Sequence, residues 1–481
     1  VWFDPHDAAG SHVYVTLWQD HTLVEVDVSN PAAPSVSRTW DTQKDPQSIA
    51  FLDARWVVVG NDLGDSFTLV DRVANTTTTV PTDSRMKLYG QEPSALAYDE
   101  TNHRLYSTLA GMNAIAAYDV DVAQTPPALS FAGRLPVGYW PSAVAAESDG
   151  TVVVTNLRGH GEGPRPLYFD IGDADIGERM HGSIEAIALP QAADLTKGDA
   201  DVATFADVAG RAGGPAVSCP SGANDFPIPA DDTSGPSTRI QHVFVVVREN
   251  KGFDALFGDF PTVNGEPSYA FKAAIPGQMD VIWNNLRTLA RTFTVSDNYY
   301  TQAIYSTQGH VLTTFGRAND FDERTWIVSG SRTSDRKIPG GGLIDVSRPV
   351  EGSLFDWLGD NGVPYDILGE IVGTPTNIPA DHDPIDARYP GGPFQNIGYN
   401  DLEKACYIAG RIRGYCNLGT VTYLTLPNDH TFGLSPTNPT PETFCAVNDE
   451  ATGMFIDALS HSPMWATSLV MITEDDPSQG G

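Results

Sequence analysis

HVFVVVRENKGFDALFG, residues 242–258, sets the reading of this chain. A continuous apolar run, Val243 to Val247, ends abruptly in Arg248, Glu249 and Asn250, and Gly252 follows as a turn residue. A run of that length without alternation predicts a strand covered on both faces, delivering polar side chains at its carboxyl end. Two later stretches have the right chemistry to meet it: YSTQGHVLTTFG, with Ser306 and His310, and SLVMITEDD, with Glu474, Asp475 and Asp476.

Around this stretch the chain alternates strands and helices. Ile282, Leu286, Leu289 and Phe293 fall on one helical face, as do Leu354, Phe355 and Leu358, and then Met454, Phe455, Ala458 and Leu459. Such alternation predicts an α/β domain over 240–481 whose ligands lie beyond the carboxyl ends of its strands. Upstream, residues 194–239 are rich in Ala, Gly, Pro, Ser and Asp and read as a linker.

Residues 1–193 follow another rhythm. PQSIA from Pro46, PSALA from Pro93 and PSAVA from Pro141 recur at spacings of 47 and 48. Each is followed by an acidic turn and a second strand: WVVVG from Trp56, RLYSTL from Arg104 and TVVVTN from Thr151. A further alternating strand recurs as TLVEVDV, SFTLVDR, NAIAAYDV and SIEAIAL. Several short strands at so constant a period predict about four propeller blades; a β-sandwich is the alternative. His12, His21, His103 and His160 are scattered and form no site.

Composition bounds the partners. The 481 residues carry 29 Lys plus Arg against 61 Asp plus Glu, a net charge of −32 that disfavours nucleic acid and anionic membrane surfaces. No apolar run reaches the length of a membrane span. Cys219, Cys406, Cys416 and Cys445 allow disulfides, with Cys406–Cys416 the favoured pair, or four free thiols. Pairing would place the chain in an oxidising compartment, secreted, periplasmic or on the cell surface. The start at Val1 reads as a processed or truncated chain.

The site chemistry follows from the strand ends. If those strands neighbour one another, Glu249, Asn250, Asp475 and Asp476 converge as oxygen ligands for a divalent cation. Calcium, magnesium or manganese suit an oxygen set, and a histidine would favour zinc. Ser306 is the candidate nucleophile at a helix N-cap, where the macrodipole and a cation both favour an alkoxide. His310 lies one turn on, on the same face. Glu474, Asp429 and His430 are further candidates for metal or phosphate contact. Bland readings stand beside these: a capped turn at Glu249-Asn250, a solvated acidic run at Glu474–Asp476, an ordinary N-cap serine and an Asx-type turn after Pro427.

RENKGFDALFGDF resembles the opening motif of the phosphoesterase family that holds bacterial phospholipases C and related acid phosphatases, within the alkaline phosphatase superfamily. Lys251 and Gly252 depart from that motif's usual Arg and Ser/Thr. The resemblance implies metal binding by Glu249 and Asn250, a nucleophile at Ser306, and completion of the site by Asp475 and Asp476 of ITEDD. Asp297-Asn298-Tyr299-Tyr300 is similar to the segment preceding the nucleophile. LPVGYWPSAVA, Leu135–Ala145, resembles YVTN-type β-propeller repeats, and LPNDHT and LSHSPMW resemble phrases of the subset in which such propellers precede the phosphoesterase domain. That family usually continues past ITEDDPSQGG, so the domain is expected to be incomplete at Gly481. The implied activity is metal-dependent hydrolysis of phosphate mono- or diesters. The alternative is an extracellular scaffold whose propeller binds a protein or surface partner and whose phosphoesterase site is vestigial.

Overall fold

The computed structural model describes all residues except 86–89, 161–181, 206–235, 271–281, 298, 300–302, 304–305, 330–344, 371, 374–382, 394, 416 and 477–481, and the side chains of 326–329, 345 and 415. The chain divides into two compact units: residues 1–215 with 319–327 and 345–351, and residues 216–318 with 328–344 and 352–481.

The first unit is built from four antiparallel sheets, each a meander whose strands pair in sequence order. They comprise β1–β4 (Trp2–Phe3, His12–Leu17, Thr22–Asp27, Ser35–Asp41), β5–β8 (Pro46–Phe51, Trp56–Asn61, Ser66–Asp71, Thr76–Pro81), β9–β12 (Leu96–Asp99, Arg104–Leu109, Ala114–Asp121, Ala128–Pro136) and β13–β15 (Pro141–Ala146, Val152–Asn156, Ser183–Ile187). The recurrent acidic turns have a local cause. Asp53 Oδ1 accepts from the amides of Arg55 and Trp56 at 2.6 and 2.7 Å, and Asp149 Oδ1 accepts from the Thr151 amide at 2.9 Å. A carboxylate that ties down the turn amides fixes the hairpin register, and in this way part of the negative charge serves the backbone.

Part of the expected linker is structured. Residues Ala192–Phe205 form α1, with Leu195 and Val202 buried and Asp199 paired to Arg134 at 2.7 Å. The rest of that stretch to 235 lies outside the described residues. A segment from far downstream also joins this unit: Asp320 accepts from the Trp140 indole at 2.8 Å, Arg324 donates to the Ser142 carbonyl at 2.9 Å, and Arg158 pairs with Glu323 at 2.6 Å.

In the second unit four parallel strands, β16 (His242–Arg248), β17 (Tyr365–Leu368), β18 (Val421–Thr425) and β19 (Ser468–Glu474), pair in the order β17-β18-β16-β19. The helices are α2 (Phe253–Phe257), α3 (Asn284–Thr292), α4 (Ser306–Phe315), α6 (Leu354–Asp360), α7 (Asp401–Tyr415) and α8 (Pro441–Ser460); α5 (Asp320–Ser329) spans the division between the units. Phe244 and Val246 pack with Ile408, Ala451 and Phe455 of α7 and α8, whereas Val247 packs with Phe355 and Leu358 of α6 and with Tyr423. Both faces of β16 are thus covered, which is why its sequence shows no alternation. Burying each such side chain contributes about 1.5–3 kcal/mol. Phe293, placed on the apolar face of its helix by periodicity, is instead 56% exposed, because α3 ends at Thr292 and the chain turns extended there.

The cysteine expectation is corrected. Cys406 is an exposed free thiol and Cys445 a buried one, so the favoured Cys406–Cys416 bridge does not form. Cys219 and Cys416 themselves lie outside the described residues. The oxidising-compartment argument, which rested on pairing, loses its support. Among the described residues no helix is long and apolar enough to cross a membrane.

Candidate metal centre

The parallel register brings the strand ends together. Arg248 stands opposite Glu474, so Glu249 and Asp475 follow one residue beyond, and Asn250 and Asp476 two beyond. The Asp475 amide donates to the Arg248 carbonyl at 3.2 Å, and the Asn250 amide to Asp475 Oδ1 at 2.9 Å, stitching the two ends past the last ladder bond. Asn250 turns the chain with φ +58°, a left-handed conformation that asparagine tolerates better than most residues. Gly252 follows as the N-cap of α2.

Ser306 and His310 reach this point from α4, which Ser306 opens as its first helical residue. The helix approaches so closely that a Cβ on Gly309 would lie 1.9 Å from the Asp475 carbonyl oxygen. Ser306 Oγ lies 2.6 Å from Glu249 Oε1, 2.8 Å from Asn250 Oδ1 and 3.1 Å from Asp476 Oδ2. One hydroxyl has one proton and cannot answer three acceptors.

His310 is 1% exposed. Its Nδ1 lies 2.7 Å from Glu370 Oε2, and its Nε2 faces Glu249 Oε2 at 3.5 Å and Asp475 Oδ2 at 3.7 Å. Neither His310 Nε2 nor Asp475 Oδ2 has a hydrogen-bond partner, although both are buried. Glu249, His310 and Asp475 form a buried group whose ligand atoms lie within 4.8 Å of one another and could hold a metal ion. Orphaned polar atoms in a dry site are costly unless something binds them, so these residues fit a cation. A carboxylate behind the histidine fixes the ring and raises its basicity, as is usual for metal-bound imidazoles.

Electrostatics agree. Burial pushes the Asp475 carboxyl up, and the charges of Glu249 and Asp476 push it further, well above the usual range. Burial also opposes charge on His310, but Glu370, Glu249 and Asp475 outweigh it and hold the ring well above the ordinary histidine value. Burial raises Glu249 as well, yet the facing His310 ring and the Ser306 hydroxyl prevail and its pKa falls. Crowded carboxylates in low dielectric draw in positive charge.

The further candidates are placed differently. Arg248, 2% exposed, pairs with Asp429 at 2.9 Å and Glu474 at 2.6 Å, so both carboxylates face a guanidinium. Asp429 still serves the centre, because its Oδ1 accepts from the Glu249 amide at 3.1 Å. His430 Nδ1 lies 2.6 Å from the Thr431 carbonyl. Lys251, where the resemblance expected arginine, is buried with Nζ 3.4 Å from the Asn250 carbonyl. Two partners went unread in the sequence: Glu370 behind His310, and Gln395, whose amide donates to Glu249 Oε2. Glu370 carries a signal that could have found it, since it lies two residues beyond the buried strand Tyr365–Leu368, much as Glu249 lies one residue beyond β16.

The molecule is therefore a β-strand-rich N-terminal region followed by an α/β region with a buried Glu–His–Asp cluster able to hold a metal. No known family matches the chain, and no curated protein does. Among solved structures it is similar to Kuenenia stuttgartiensis hydrazine synthase at 19% identity and a TM-score of 0.26, over 31% of this chain and 39% of that one. It is similar to the WD40 repeats of RRP9 at 15% identity and a TM-score of 0.25, over 31% and 42%. A functionally unknown protein from Desulfotomaculum acetoxidans gives 15% and 0.22, over 34% and 71%. The chain thus spans about two fifths of the length of the first two, and likenesses this slight decide neither fold nor function.

Proposed function

We propose that the chain is a metal-dependent hydrolase of phosphate mono- or diesters with Ser306 as nucleophile, its α/β region of alkaline phosphatase type and its four meanders the blades of a β-propeller. The support for the blades is the period of 47 and 48 residues and the in-order pairing of each meander. The observation that carries the activity is Ser306 Oγ, set 2.6–3.1 Å from two carboxylate oxygens and an amide oxygen beside the buried Glu249–His310–Asp475 group.

Glu249, nearest to Ser306 Oγ, accepts its proton as Oγ attacks phosphorus. The new Oγ–P bond forms while the P–O bond to the leaving group breaks, and the leaving oxygen takes its proton from water. A water molecule then attacks the phosphoserine, the Oγ–P bond breaks, and Ser306 recovers its proton. A divalent cation, when bound, neutralises the phosphoryl oxygens and lowers the pKa of the hydroxyl. His310, held by Glu370, keeps Glu249 and Asp475 in place.

Hydrolysis of 4-nitrophenyl phosphate and bis(4-nitrophenyl) phosphate, with and without a chelator, tests the reading. Turnover is expected to vanish with chelator, to return with added cation, and to fall to background in Ser306→Ala. Turnover that survives both treatments would sink it.

A further inference from the structure

In the first compact unit, the residue before the proline of each repeat has a left-handed backbone. Asp45 precedes Pro46, Glu92 precedes Pro93 and Trp140 precedes Pro141, with φ of +53°, +57° and +56°. The repeat thus delivers these three side chains at the same place, just ahead of the first strand of a meander. Asp62 joins Asp45 there: it lies one residue beyond Asn61, which pairs with Pro46, and its amide donates to the Asp45 carbonyl at 2.8 Å. Asp320, which opens α5, arrives at Trp140, its Oδ1 accepting from the indole at 2.8 Å. Phe321 beside it meets Trp18 of the β2–β3 turn edge-on, with ring centroids 6.1 Å apart.

Four carboxylates are buried here. Asp45, Asp62 and Asp320 are fully shielded from solvent and Glu92 is 1% exposed. Asp320, Glu92 and Asp45, in that order, are the acids that act most on Asp62. The facing cation is Arg324, and it is committed elsewhere, through Nε to Asp320 Oδ2 and through Nη2 to the Ser142 carbonyl. Neither side-chain oxygen of Asp62 has a hydrogen-bond partner, although both are buried. Asp65 shows the ordinary use of a buried aspartate in this unit, its Oδ2 accepting from the Gly90 amide and its Oδ1 from the Glu92 amide, each at 2.8 Å. Asp62 ties down no amide. A buried carboxylate left unanswered takes up a proton or a cation. A proton answers one oxygen, whereas a cation answers Asp62 and its acidic neighbours together.

The donor set narrows the cation. It is oxygen alone, which suits a hard ion. Among the described residues only Glu249, His310 and Asp475 bring three such ligand atoms within 4.8 Å of one another, so the four acids stand too far apart to enclose a small ion by themselves. Calcium takes six to eight oxygens in a flexible shell and accepts backbone carbonyls and water beside one or two carboxylates, while magnesium demands a near-ideal octahedron. We propose that Asp62, with Asp45, Glu92 and Asp320 around it, binds a calcium ion that ties the start of α5 to the repeat turns. All four residues belong to the first unit, and the site owes nothing to the proposed phosphoester chemistry.

The test uses the full chain carrying Glu249→Gln, which disables the other centre. The protein is stripped with chelator, equilibrated with calcium, desalted and analysed for calcium per chain, and its melting temperature is followed against calcium concentration. One equivalent is expected, with a melting temperature that climbs by roughly 5–10 °C at a hundredfold excess over Kd. Asp62→Asn, added to that background, should lose both the equivalent and the shift, yet melt no lower than its parent without calcium, because an unanswered buried acid is gone. Terbium should report the same site, its emission sensitised by the Trp140 indole that shares Asp320, displaced by calcium and lost in Asp62→Asn. Where Asp62→Asn fails to fold, Asp45→Asn takes its place, with calcium affinity expected to fall at least about tenfold. A folded Glu249→Gln chain whose melting temperature ignores calcium overturns the proposal and leaves Asp62 a protonated acid. So does calcium retained alike with and without Asp62→Asn, which would place the ions on the acidic surface. None of these readouts involves turnover of nitrophenyl phosphates, so the proposed hydrolase and this site stand or fall separately.

Discussion

Two glutamates, one in each compact unit, are buried to the same degree and live in opposite circumstances. Glu25 on β3 and Glu249 beyond β16 are each 2% exposed. Glu25 accepts from Tyr14 Oη at 2.5 Å, Ser37 Oγ at 2.7 Å and Arg38 Nε at 2.9 Å, and Arg72 in turn donates to Tyr14 at 2.8 Å. Burial raises its pKa, but Arg38 and the two hydroxyls prevail and bring it down to about 2. Glu249 is also lowered, yet its cationic partner is a histidine ring that can lose its proton, and orphaned acceptors stand next to it. Arginine keeps its charge at any ordinary pH and offers several fixed donors. A carboxylate answered by it is closed to other partners, whereas a carboxylate answered by serine, glutamine and histidine can exchange them for a cation.

Removing the charge should therefore have inverse consequences at the two positions. Glu249→Gln is expected to abolish metal retention at its own centre and lower phosphoester turnover by at least about 10³-fold, the scale of losing a group that stabilises transition-state charge. Its metal-free thermal stability should change little, because the favourable contacts with His310 and Ser306 are lost together with the repulsion between Glu249 and Asp475. Glu25→Gln should leave metal content and turnover unchanged and cost about 2–3 kcal/mol of stability, since it breaks a buried, fully hydrogen-bonded pair. Calorimetry beside metal analysis reads both. A destabilised Glu249→Gln or a metal-deficient Glu25→Gln would break the contrast.

Gly309 sharpens the comparison from the backbone side. A Cβ there would meet the Asp475 carbonyl at 1.9 Å, so Gly309→Ala must push α4 away from the end of β19. The expected cost is about 1–3 kcal/mol for overpacking, with metal affinity falling as Ser306 and His310 move off together. Unchanged affinity by calorimetric titration would show that α4 does not set the geometry of the centre.

What could be read in advance follows from how local each signal is. The apolar run of β16, the periodic meanders and the strand-end acids are written in neighbouring residues, and the resemblance tied Ser306 to Glu249 across 57 positions. Glu370 follows β17 much as Glu249 follows β16, but its place behind His310 comes from sheet order: β17 joins β16 through β18, and that brings its strand end to His310. Asp320 and Arg324 sit among helix-forming residues with nothing to mark them as belonging with Trp140 and Ser142. The expected cysteine pairing failed for a related reason, since closeness in sequence does not bring two side chains together when Cys406 points outward from a helix.

The last effect is the share of the acid limb of stability that Glu25 contributes beside the other depressed carboxylates, Asp71 among them. Its folded pKa, about 2, lies below the ordinary glutamate value of 4.5, so ionised Glu25 contributes stability in full above pH 5. That contribution fades as pH falls from 5 toward 2, because the unfolded chain takes up the proton first. Its size is about 2–3 kcal/mol, spread over the whole interval. Melting temperatures followed from pH 5 to pH 3 should then fall more steeply for the wild type than for Glu25→Gln, which lacks the titrating group. Parallel curves would mean that Arg38 does not hold the carboxylate, and Glu25 would no longer serve as the closed counterpart of Glu249.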